Sequence, residues 1–210
     1  MKMTISCILL TLLICVSTAQ AQTGPFSQQQ ARNIASAVVQ ILASGPNGPQ
    51  QGSGTIVTPT GMIFTNAHVV DGADSIQIRV FEDFESAPEA RYTASVTASV
   101  SEAQFDFAVL QISGNLNGSS INTNSLNLPY MPAQSIPINI TEDVYFFAYP
   151  QIAGGSIAIT PGWITTIQSI PVDGQEIFFY QSDAVFGEGA SGGLVVNRQG
   201  QFIGIPSEMR

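Results

Sequence analysis

The sequence predicts an all-β protein, a sandwich or a barrel. Three observations carry that expectation. Short apolar runs rich in β-branched and aromatic residues recur along the chain, each bounded by Gly, Pro, Asn or Ser; this is the signature of strands and turns. No window holds a sustained 3.6-residue apolar stripe beyond Gln28–Leu42, where the β-branched end competes with the helix. A stretch rich in Asn, Ser and Gly near residues 113–139 divides the strand runs into two sets.

The chain opens MKMTISCILLTLLICVSTAQAQ. Lys2, the apolar run Ile5 to Val16 and the small-x-small site Ala19-Gln20-Ala21 have the layout of a secretory signal peptide, with cleavage expected after Ala21. The run is shorter than the roughly 20 residues that span a bilayer. Cys7 and Cys15 both lie within it, and bulky Ile14 argues against a lipid anchor at Cys15. Of 210 residues, 189 remain after such a cut, without cysteine. The expectation is a secreted or periplasmic protein whose core is large enough to stand without disulfides.

A polar, helix-tolerant stretch, Phe26 to Arg32, comes next, and Ser36–Ser44 reads as a first strand. Gly45 to Gly54 reads as a loop, because Pro and Gly interrupt regular structure. Strands are expected at Gly54–Val57, Met62–Thr65, Ser75–Phe81, Tyr92–Val100 and Phe107–Ile112. After the linker they resume at Asp143–Tyr149, Ser156–Thr160, Trp163–Ile170, Gln175–Gln181, Leu194–Asn197 and Gln201–Ile205.

Charge excludes some partners. Beyond Ala21 the chain keeps five arginines and no lysine against fifteen acids, a formal charge of −10. Nucleic acid and anionic membrane both require a basic surface, so neither is an expected partner. One histidine and no remaining cysteine leave only carboxylates for a metal, so no metal or other cofactor is expected. Asn117-Gly118-Ser119 and Asn139-Ile140-Thr141 fit the N-glycosylation pattern, a short pattern that often arises by chance.

The chemistry centres on FGEGASGGLVV, residues 186–196, where five small residues surround Ser191. Alone, this is either a turn or a nucleophile held on bare backbone. A nucleophile needs a base, an orienting acid and donors for an oxyanion. His68, after the apolar run MIFT, is a packed residue or that base, and no other imidazole exists. Chain order prunes the choices. An α/β-hydrolase elbow needs a histidine after the serine, and residues 192–210 contain none. The subtilisin order needs an Asp before the histidine, and residues 1–67 contain no acid. Only His, acid, Ser remains. Asp71 and Asp74 lie too near His68 along the chain, and Glu82, Asp83 and Glu85 in FEDFES read as a solvated loop. Asp106 sits alone in the apolar FDFAVLQI, where a carboxylate needs a partner. It is either a strand-start cap or the group that orients the imidazole. The amides of Gly189 and Ser191 could converge as an oxyanion hole.

Together these residues resemble the trypsin-like serine peptidases, and within them the bacterial HtrA/Deg-related branch. Residues 52–70 (GSGTIVTPTGMIFTNAHVV), 105–112, 144–165 and 187–207 carry the resemblance. It implies two antiparallel six-stranded barrels with a cleft between them. Residues 22–125 would supply His68 and Asp106, and residues 126–210 would supply Ser191. It implies a serine endopeptidase acting on polypeptides through an acyl-enzyme, with the roles of the Ser-His-Asp template. Ala190 stands where digestive members carry an Asp that pairs with a freed N-terminus, which fits the bacterial branch. Val185 and Phe186 give the pocket no acidic floor, so apolar side chains are the expected preference. Only 19 residues follow Ser191, enough for two strands, so the expectation is either a truncated sequence or a second barrel without its final strand. That shortfall motivates an alternative, a non-catalytic member of the fold that binds peptides or a partner. Nothing in the sequence sets the oligomeric state.

Overall fold

The structure, a computed structural model, describes residues 24–46, 48–101, 104–134, 136–172 and 174–207. The signal-like segment and its cleavage site therefore lie outside the described residues. The chain is all-β with few helices. Six antiparallel strands close into a barrel: β1 (Val38–Gly45), β2 (Gly48–Ile56), β3 (Met62–Thr65), β4 (Ser75–Val80), β5 (Glu89–Val100) and β6 (Phe107–Asn115), ordered β1-β2-β3-β6-β5-β4. Alternating burial along its strands sets its core. Ala108, Leu110 and Ile112 of β6 point inward and are fully buried, meeting Ile41, Ile63 and Ile78.

The second half is a curled open sheet. Among the described residues it has five strands, ordered β11-β10-β7-β8-β9: β7 (Asp143–Ala148), β8 (Ala158–Val172), β9 (Gln175–Ser182), β10 (Leu194–Asn197) and β11 (Phe202–Gly204). β7 reads as one unbroken apolar run because it is covered on both faces. Tyr145 and Phe147 pack with Leu194 and Val196 on one side; Val144 and Phe146 pack with Ile164 and Val195 on the other.

The first face of β7 is covered by the start of the chain. Helix α1 (Gln28–Ala35) begins with a reciprocal cap: the Ser27 hydroxyl accepts from Gln30 N–H at 3.2 Å, and Gln30 Oε1 accepts from Ser27 N–H at 2.9 Å. Its Ile34 and Ala35 are buried against Tyr145 and Phe147. β1 then serves two cores at once, with Val39 and Ile41 inside the barrel and Val38 facing the sheet. FEDFES is only partly a solvated loop, because Phe81 and Phe84 meet edge to face at 5.1 Å and join the same core. Arg32 of α1 lies over both rings.

Three boundaries differ from the sequence reading. The expected loop Gly45–Gly54 is mostly strand: β2 starts at Gly48 and pairs with β1 from Gly45 opposite Gly48 onward. Its glycines are strand residues that keep other side chains in place; a Cβ on Gly54 would meet Ile63 at 2.7 Å. Ser156–Thr160 and Trp163–Ile170 form a single 15-residue strand, β8, which runs through Pro161-Gly162. Residues there face Tyr145 and Val144 of β7, and a Cβ on Gly162 would meet the Ser182 hydroxyl at 2.7 Å. The linker is docked on the first barrel, with Leu128 N–H bonded to Pro59 O at 3.0 Å and Met131 N–H to Ile56 O at 2.9 Å.

Phe147 tests the joint between helix and sheet. Phe147→Ala is expected to cost about 3–5 kcal/mol, seen as a lower midpoint with an unchanged slope in urea unfolding. A loss under about 1 kcal/mol would mean that α1 contributes no core.

Candidate active site

The side chains singled out in the sequence lie at the meeting of barrel and sheet. β3 runs through Asn66 into a one-turn helix, α2 (Ala67–Val70). Ala67, Val69 and Val70 are buried in the barrel core, and their packing leaves His68 as the half-buried residue of the turn. The sequence reading placed His68 after a strand and did not foresee this turn. β3 pairs with β6 in a register that sets Thr65 opposite Ala108. Continuing that register by two residues brings Asp106 beside Ala67 and His68.

Asp106 is 7% exposed, and its charge is answered on every side. Oδ1 accepts the His68 main-chain N–H at 3.0 Å. Oδ2 lies 2.7 Å from His68 Nδ1 and accepts the Ser207 hydroxyl, also at 2.7 Å. An ionised carboxylate has no proton to give, so Nδ1 is the donor and Nε2 is left free of it. Burial pushes the Asp106 carboxyl up, but the bonds from His68 and Ser207 outweigh it and hold the group below the usual carboxylate range. Its backbone is unusual as well. Asp106 has φ 50°, in the left-handed region that few residues other than glycine adopt. Asn66 Nδ2 donates to the Asp106 carbonyl at 2.7 Å and helps hold that conformation.

Ser191 lies in the turn between β9 and β10 and is 4% exposed. The turn is bonded to β2 across the joint. Ser53 N–H donates to Ser191 O at 2.9 Å, the Ser53 hydroxyl to Gly189 O at 2.7 Å, and the Thr55 hydroxyl to Gly193 O at 3.0 Å. Two glycines are required here. Gly189 has φ 91°, and a Cβ on it would meet Tyr149 O at 2.8 Å; Gly192 has φ 81°, and a Cβ on it would run into Ser53 O and the Thr65 hydroxyl. Gln151 N–H donates to Glu188 O at 2.8 Å. The amides of Gly189 and Ser191 have no hydrogen-bond partner among the described residues.

His68, Gly189 and Ser191 line one cleft of about 680 Å³ together with Gln51, Gln151 and Glu188. His68 and Ser191 face this space with no hydrogen bond between them among the described residues. Hydrogen bonds of this kind are often long before substrate arrives. Val185 and Phe186 stand apart from the cleft. Val185 is 88% exposed, and Phe186 stacks on Phe146 at 5.2 Å within the sheet's core. Among the described residues no group of three or more His, Cys, Asp or Glu side chains converges as a metal site would require. Ser207, Asn66, Ser53 and Gln151 were not singled out in the sequence. Ser53 and Ser207 lie inside the motif stretches 52–70 and 187–207, but a lone serine there carries no signal of its own.

The comparisons with known proteins bear on the family and the fold. A model described as "Trypsin-like peptidase domain" matches residues 52–205. A "Probable periplasmic serine endoprotease DegP-like" of Pseudomonas savastanoi pv. phaseolicola is 32% identical over 75% of this chain and 29% of its own length. The "Periplasmic serine endoprotease DegP" of Salmonella typhimurium is 28% identical over 87% of this chain and 36% of its own. The chain thus spans about a third of the length of these relatives. The crystal structure of "the serine endoprotease from Yersinia pestis" superposes with a TM-score of 0.65 at 27% identity, covering 87% of this chain and 57% of that one. The chain belongs to the trypsin-like peptidase domain family, and its relatives there are DegP/HtrA-type serine proteases.

Proposed function

We propose that the protein is a serine endopeptidase in which Ser191 is the nucleophile, His68 the general base and Asp106 the group that orients it. One observation carries the reading. Asp106 commits both carboxylate oxygens to His68, one to its main-chain N–H and one to Nδ1, which leaves Nε2 for the cleft that Ser191 lines. Ser191 Oγ attacks the scissile carbonyl carbon as its proton passes to His68 Nε2. The carbonyl π-electrons move to oxygen, and the resulting oxyanion accepts from the free amides of Gly189 and Ser191. When the oxyanion collapses, the C–N bond breaks, the proton on Nε2 goes to the leaving amine, and Ser191 is left as an ester. Water, deprotonated by the same imidazole, then releases the acid and restores the hydroxyl.

The substrate is a polypeptide. The relatives named periplasmic, together with the signal-like opening of the chain, support a periplasmic or secreted location. Val185 and Phe186 take no part in the pocket as we draw it, because neither lines the cleft. A second reading, a non-catalytic peptide-binding protein, draws on the missing bond between His68 and Ser191. It differs in outcome: peptide binding would be indifferent to Ser191→Ala, and no turnover would occur.

A fluorophosphonate applied to the folded chain is expected to add one phosphonyl group at Ser191, read by intact mass and peptide mapping, and Ser191→Ala is expected to take up none. A well-folded chain that stays unlabelled would end the peptidase reading.

Asp106→Asn is expected to lower kcat by about 10⁴-fold by favouring the wrong imidazole tautomer. The same variant tests the carboxyl's titration. Because folding depresses the Asp106 pKa, the ionised group stabilises the fold above its unfolded value, and that contribution is lost as pH falls through the lowered folded value. The stability gap between the natural chain and Asp106→Asn should therefore shrink below about pH 4, measured by chemical unfolding across pH. A gap that stayed constant from neutrality into acid would contradict this account of the carboxylate.

A further inference from the structure

We infer that Ser53 is a positioning residue for the reaction proposed above, fixing the peptide planes that aim the oxyanion donors; the inference rests on that reading. Ser53 lies in β2, in the other half of the molecule from Ser191, and is 0% exposed. All its polar atoms are engaged. The hydroxyl donates to Gly189 O at 2.7 Å and accepts Tyr149 N–H at 2.8 Å. The main-chain N–H donates to Ser191 O at 2.9 Å, and the carbonyl accepts the Thr65 hydroxyl at 2.7 Å. One buried residue thus holds the carbonyls of both residues whose amides are to meet the oxyanion.

The geometry explains why this matters. A peptide C=O and the N–H that follows it share a plane and point in opposite directions. The Gly189 N–H shares its plane with Glu188 O, which accepts Gln151 N–H at 2.8 Å. The Ser191 N–H shares its plane with Ala190 O, which accepts Gly193 N–H at 3.1 Å. Between them lies the plane of Gly189 C=O and Ala190 N–H. It is held by the Ser53 hydroxyl at one end and by a 3.2 Å bond from Ala190 N–H to Gly187 O at the other. Without the hydroxyl, the middle plane keeps only that local bond, within a turn whose Gly189 has no side chain to resist rotation. The Tyr149 contact matters for the same reason, because Tyr149 lies two residues before Gln151, the anchor of the Glu188 plane.

An oxyanion exists only after attack, so a misaimed donor slows the chemical step and leaves ground-state binding alone. A Ser53 that merely filled the joint would lose stability, affinity and turnover together.

The test uses fluorescent casein as substrate and a fluorophosphonate as probe on the natural chain, Ser53→Ala and Ser53→Cys, with casein affinity measured in a Ser191→Ala background. Ser53→Ala is expected to lower kcat and the phosphonylation rate together by about 10- to 100-fold, less than removal of an oxyanion donor itself. KM and casein affinity are expected to stay within about threefold, because uniform binding is not altered. Ser53→Cys, which keeps a weak S–H donor on a slightly larger side chain, should recover part of the rate. Equal labelling of the natural chain and Ser53→Ala overturns the inference and leaves the peptidase reading intact. A loss of kcat matched by an equal loss of casein affinity also overturns it. If Ser53→Ala gives no cooperative melt, Ser53→Cys decides by the same split, and a rate equal to the natural chain's overturns the inference. A natural chain that takes no label at all overturns the peptidase reading and this inference with it.

Discussion

A buried carboxylate cannot be left alone, and much of the candidate site follows from how this chain satisfies one. Asp106 immediately precedes β6 at the edge of an apolar core. Desolvation works against its charge, and the converging donors outweigh it. Those donors come from two parts of the fold: the one-turn helix with His68, and Ser207 beyond β11. The charge therefore acts as a centre toward which otherwise independent pieces of backbone are drawn. The left-handed φ of Asp106, worth about 1–3 kcal/mol of strain, is tolerated because these bonds and Asn66 determine the conformation.

The nucleophile turn is organised in the opposite way, with carbonyls instead of a charge. The turn carries no ionic anchor, and its glycines allow backbone directions that side chains would block. Definition comes from hydroxyl and amide donors on β2, reaching across from the barrel. Each half of the molecule thus completes the other. The imidazole is fixed within the barrel, while the serine turn, which belongs to the sheet, is fixed by the barrel's second strand. Among the described residues two amides, those of Gly189 and Ser191, are left unpaired at the joint, which is uncommon for backbone groups in a folded protein.

The all-β class and most strand positions were legible because short β-branched and aromatic runs and turn residues are local signals. β3, Met62–Thr65, and β10, Leu194–Asn197, fall where the pattern puts them. The errors have a common physical cause. Gly52 and Gly54 look like loop residues in sequence, yet they are strand positions where Val69 and Ile63 press in from another element. Pro161-Gly162 looks like a break between strands, yet pairing with β7 carries β8 straight through. Tertiary contacts decided both, and a single sequence does not display them. For the site, chain order left only the succession His, acid, Ser, and the apolar neighbours of Asp106 set it apart from the other acids. The supporting shell was not legible, because Ser53 and Ser207 differ from any surface serine only by what they touch.

Helix α1 has a consequence for how the molecule is made. Its apolar face is matched to Tyr145 and Phe147, which emerge from the ribosome far later. Local capping lets the helix form early, but its resting place does not yet exist while the barrel strands are being synthesised. Short helices are marginal without tertiary contact, so Ile34 and its neighbours spend that interval as an unsatisfied sticky segment. Docking of α1 must wait for β7, so the nascent chain carries an exposed apolar face, open to aggregation, while the barrel strands are being made.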